Sequence, residues 1–85
     1  MGILEEAQST IATREELVAF LSLLRQDLAQ HGEQWENSTL ESYLEALQAV
    51  LTDWRGRFAN RGEIAPDVPS WRLVAEILLA ASVYE

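Results

Sequence analysis

Residues 70–83 read Ser-Trp-Arg-Leu-Val-Ala-Glu-Ile-Leu-Leu-Ala-Ala-Ser-Val, and this stretch decides the fold. Pro66 and Pro69 precede it. Proline cannot continue a helix and biases the residue before it towards extended backbone. Ser70 then stands where an N-cap is needed, and the pattern predicts a helix from Trp71 to about Val83. Leu73, Val74, Ala75, Ile77, Leu78, Leu79, Ala80, Ala81 and Val83 cover nearly its whole circumference, and only Arg72, Glu76 and Ser82 are polar within it. A helix apolar all round is buried on more than one side. Two arrangements satisfy that: the central helix of a small bundle, or one wall of a dimer interface with Ile77 and Leu79 as the candidate self-contact.

Two further helices lie upstream. Thr13-Arg14-Glu15-Glu16 is a capping box, in which the Thr13 hydroxyl takes the Glu16 amide and the Glu16 carboxylate returns to the Thr13 amide. Leu17, Phe20, Leu21, Leu24 and Leu28 follow at the helical period, with Ala12 and Leu17 placed for a hydrophobic staple and Gly32 as the stop after His31. The next helix starts at Ser38 or Thr39, with Ser38-Thr39-Leu40-Glu41 reading as a second capping box. Its stripe is Leu40, Tyr43, Leu44, Leu47, Val50, Leu51, Trp54 and Phe58, so one helix is expected to reach Phe58 or Asn60. Asn60 and Gly62 both accept the left-handed conformation that ends a helix. Residues 1–12 form an N-terminal arm or short helix, and residues 13–85 a single helical domain. The expected fold is all-α: a small antiparallel bundle of three main helices.

The chain has 85 residues and a formal net charge of −8, which allows one domain. A net negative charge repels phosphate backbones and anionic lipid surfaces, so neither nucleic acid nor a membrane is the expected partner. There is no cysteine, which excludes disulfides, thiolate metal sites and cysteine nucleophiles and fits a reducing, cytoplasmic compartment. The start carries Glu5 and Glu6 and no basic n-region, so no signal peptide is expected.

Catalytic constellations are missing. The one histidine, His31, sits beside Gly32 at a helix end, and no serine stands in a nucleophile elbow. No glycine-rich phosphate loop and no Glu-x-x-His pair is present. No catalytic, cofactor-binding or metal residue is therefore assigned. Charge is more suggestive: from Asp27 to Asp53 there are six acids and no lysine or arginine, while Arg55, Arg57 and Arg61 follow without an acid between them. Dipole complementarity accounts for that segregation. So does an acidic surface that steers towards a basic protein. Trp35, in the loop Gln34-Trp35-Glu36-Asn37, is either an anchor over the core or a contact for a partner.

Trp35-Glu36-Asn37 with Thr39-Leu40 and Leu44-Glu45-Ala46, then Trp54, then Pro69-Ser70-Trp71 with Tyr84-Glu85, together resemble a family of small bacterial domains of unknown function. The resemblance runs from Thr13 onward. It implies a free-standing small bacterial protein, a neighbour of toxin–immunity or phage-defence genes, and it transfers no functional residue. The combined expectation is a non-catalytic interaction module that binds another protein or itself. One form is an acidic, immunity-like or antitoxin-like inhibitor of a basic partner, with Trp35, Glu36, Glu41 and Glu45 as partner-binding candidates. Another is a homodimer. The rival is a small-ligand binder or enzyme with a pocket near Trp35, Tyr43, Trp71 and Arg72. A deep polar pocket favours the rival, and an exposed apolar patch favours the partner.

Overall fold

The computed structural model describes residues 2–84. Among the described residues there are five helices: α1 (Gly2–Ser9), α2 (Arg14–His31), α3 (Leu40–Thr52), α4 (Trp54–Asn60) and α5 (Trp71–Val83), with a 3-10 turn at Gly32–Gln34 after α2. The fold is all-α. No helix among the described residues is long and apolar enough to cross a membrane.

The helix starts follow local chemistry. Thr13 caps α2 with both arms of its box in place: its hydroxyl accepts from the Glu16 amide at 3.1 Å, and the Thr13 amide donates to Glu16 Oε1 at 3.0 Å. Ser70 caps α5 by accepting from the Leu73 amide at 3.1 Å. α3 departs from expectation. Thr39, not Ser38, is its cap, accepting from the Ser42 amide, and the third helical position holds Ser42 rather than a carboxylate that can reach back. The cap is therefore single, not a box.

The long second helix is also divided. Asp53, at φ −92° and ψ 13°, separates α3 from α4, although the Asp53 amide still donates to the Ala49 carbonyl and the Arg57 amide to the Asp53 carbonyl. The backbone thus stays hydrogen-bonded across the break. The Asp53 carboxylate lies over Gly56, where a Cβ would stand 3.3 Å from Oδ1. α4 closes in a Schellman turn: Gly62 has φ +72°, its amide reaches the Ala59 carbonyl, and the Glu63 amide reaches that of Phe58. Arg61 then pairs with Glu63 (3.5 Å) and Glu76 of α5 (3.3 Å) and lies 4.6 Å over the Phe58 ring. This arginine's charge is spent inside the fold, tying the end of α4 to α5.

α5 is the central helix, packed against α1, α2 and α3, while α2 and α3 do not pack against each other. Leu4, Ile11, Leu17, Phe20, Leu24, Ala75 and Leu79 form one core cluster. The N-terminal arm thus contributes Leu4 and Ile11 to the interior, and Ile11 rather than Ala12 is buried beside the start of α2, where Ala12 is exposed. Against α3, Ala46 and Val50 are buried, and along α5 Ala75, Ala81 and Ser82 are fully enclosed. These small residues leave room for close helix approach. The Ser82 hydroxyl satisfies itself on the Leu79 carbonyl at 2.6 Å. Leu79 is 8% exposed and Ile77 half-buried, so Leu79 faces the core rather than a free surface.

Candidate functional site

Because α2 and α3 each pack on α5 and not on one another, the space between them stays open. It is a groove of about 400 Å³ whose walls include Leu21, Leu24 and Leu28 of α2, Trp35 of the connection, and Leu40 and Tyr43 of α3. Its floor is set by polar groups that point away from it. Trp35 donates Nε1–H to Asp27 Oδ2 at 2.6 Å, and its ring stacks on Tyr43 with centroids 6.2 Å apart. The Tyr43 hydroxyl donates to the Leu78 carbonyl at 2.7 Å, and burial pushes its pKa above the usual phenol value. Thr39 also borders the groove, with its hydroxyl committed to the α3 cap. Among the described residues, Arg25 is the one charged side chain on the rim.

The base of the groove is held by Asn37. Its side-chain amide donates to the carbonyls of Ala81 (3.0 Å) and Tyr84 (2.7 Å), and its backbone amide to that of Ser82 (3.2 Å). The last carbonyls of a helix have no partner within it, so this loop satisfies the C-terminal end of α5. Trp71 begins α5 and so lies at the opposite end of that helix from Asn37.

Beyond the groove the apolar surface continues along α3. Leu40 is 76% exposed, Leu44 52% and Leu51 50%; with half-buried Leu47 they form a ridge at i, i+4, i+7 and i+11. Glu41 and Glu45 flank that ridge, sharing a shallow surface with Leu40, Leu44 and Gln48. Glu45 also joins Glu36 in a polar cleft with Asn37, Ser42 and Tyr84. Among the described residues none of these three acids belongs to an ion pair.

The predicted site residues are thus divided. Glu36, Glu41 and Glu45 share one side of α3, and Trp35 lies in the groove on the other. Of the rival pocket, Trp35 and Tyr43 come together, whereas Trp71 and Arg72 do not line the groove. Leu21, Leu28 and Leu40 belong to the apolar stripes of their helices, and periodicity alone does not set them apart from core residues. Among the described residues no group of three or more His, Asp or Glu side chains is placed to hold a metal ion.

The fold and this surface define a small all-α domain with an open apolar groove and an acidic flank. A family model matches residues 13–85, and the chain belongs to that family, Family of unknown function (DUF7660). The match begins at the Thr13 cap and leaves α1 outside it, although α1 contributes Leu4 to the core. No curated protein and no solved structure matches the chain.

Proposed function

We propose that this domain is a non-catalytic docking module that binds another protein through the groove between α2 and α3. The observation that carries this reading is the chemistry of the lining. Leucines and two aromatic rings face the open space, while the Trp35 and Tyr43 polar groups are hydrogen-bonded into the fold. A contiguous exposed apolar surface on a small domain marks an interaction site. A small-ligand or catalytic site needs a few polar groups converging on the ligand, whereas this lining is predominantly apolar, and among the described residues Arg25 and Ser38 are its polar side chains not engaged within the fold. The cysteine-free composition supports a reducing compartment such as the cytoplasm, and the net charge of −8 fits an inhibitor-like partner of a basic protein.

The test is selection of binders from an unbiased displayed-peptide library, repeated on Leu21→Glu and Leu40→Glu. Enriched peptides that lose binding to both variants support docking in the groove. Enriched peptides that bind the variants as well as the parent place docking elsewhere and overturn the reading. Saturable binding of a small polar metabolite with no peptide enrichment favours the rival.

A further inference from the structure

We infer that the groove takes an amphipathic helix of a different protein, with basic residues on the flank that faces α3. This rests on the docking reading above and specifies the partner. The argument starts from geometry. The ridge from Leu40 to Leu51 runs over twelve residues of helix, or about 16 Å between its end residues. Its i, i+4, i+7, i+11 spacing presents a straight apolar edge beside the groove. A helix lying along that edge contributes its own stripe at matching spacing, which is the recurring helix-in-groove mode. An extended peptide gains nothing comparable, because all described secondary structure is helical and offers no strand edge.

Charge then chooses among helices. On the side of the ridge away from the groove stand Glu41 and Glu45, with Glu36 beyond them, and none is paired among the described residues. On the α2 side stands Arg25. The occupant therefore gains from lysine or arginine along one flank, and from an acid only where it passes Arg25. A second copy of this chain is a poor fit. It would bring one net charge of −8 against another and offer a single rim arginine to Glu41 and Glu45.

Two synthetic helical peptides of about 18 residues test this. They share one leucine stripe and differ only in carrying lysine or glutamate on one flank. Binding is followed through tryptophan fluorescence of the protein, using tryptophan-free peptides. The lysine peptide should bind about tenfold tighter or better at low salt, and added salt should narrow the gap. The double variant Glu41→Lys/Glu45→Lys should reverse the order. Leu40→Glu, and independently Leu44→Glu, should weaken both peptides, with helical circular dichroism showing that each variant folds. Equal affinity of the two peptides, still lost in Leu40→Glu, overturns the charged-flank inference while the docking reading stands. Peptide binding that neither leucine variant weakens, or no binding of either peptide, overturns both. A protein mass that doubles at micromolar concentration and reverts in Leu40→Glu assigns the groove to a second copy and overturns the inference alone.

Discussion

Asn37 shows how much one side chain can settle. Its amide and backbone N–H together satisfy three carbonyls at the end of α5, and so fix the loop that carries Trp35 into the groove. Asn37→Ala removes both side-chain bonds and should cost about 1–3 kcal/mol, since the freed carbonyls are partly buried. Chemical denaturation should show a lower midpoint at unchanged slope. Tyr43 makes a second prediction. Its burial disfavours the phenolate, so the folded state holds the proton more tightly than the unfolded chain. The stability this contributes is fully present below the unfolded value near 10 and is lost as pH rises through the higher folded value. Tyr43→Phe should lose about 1 kcal/mol at neutral pH with its hydrogen bond to Leu78. It should also show a shallower fall in stability on the alkaline side, as read from denaturation curves at a series of pH values.

At the scale of elements, the starts of α2 and α5 were legible in the sequence because their causes are local: Thr13 with Glu16, and Ser70 after Pro69, each act within a turn. The apolar circumference of α5 left a central helix and a dimer wall both open, and only the packing of α1, α2 and α3 on it makes it central. The break at Asp53 was less legible, since the helical hydrogen bonds run on across it. So was the division of the α3 stripe. Periodicity shows that Leu40, Tyr43, Leu44, Leu47, Val50 and Leu51 share a broad face, but it does not show that only α5 comes to cover it. Tertiary placement buried Val50 completely and left Leu44 half exposed. These two environments predict opposite responses to charge. Leu44→Glu should change stability by about 0.5 kcal/mol or less, as surface substitutions do. Leu79→Glu buries an unpaired carboxylate in the core and should unfold the domain. Thermal melts of the two variants, side by side, check the distinction.

At the scale of the molecule, the groove exists because one helix is shared by three others and two of its partners splay apart. Trp35, Tyr43 and the acids Glu36, Glu41 and Glu45 were legible in the sequence as candidates. The remainder was not, because Leu21, Leu28 and Leu40 look like core residues in any single helix and become a surface only when α2 and α3 fail to meet. The hydrogen bonds of Trp35 and Tyr43 leave that surface largely apolar, and Glu41 and Glu45 give it a charged edge. Backbone amide and methyl chemical-shift mapping, during titration with a library-selected peptide, tests this account most directly. The predicted result is that the largest shifts fall on Leu21, Leu28, Trp35, Leu40 and Tyr43. Shifts centred instead on Ile64 and Val68 of the loop before α5, with the groove unmoved, would contradict it.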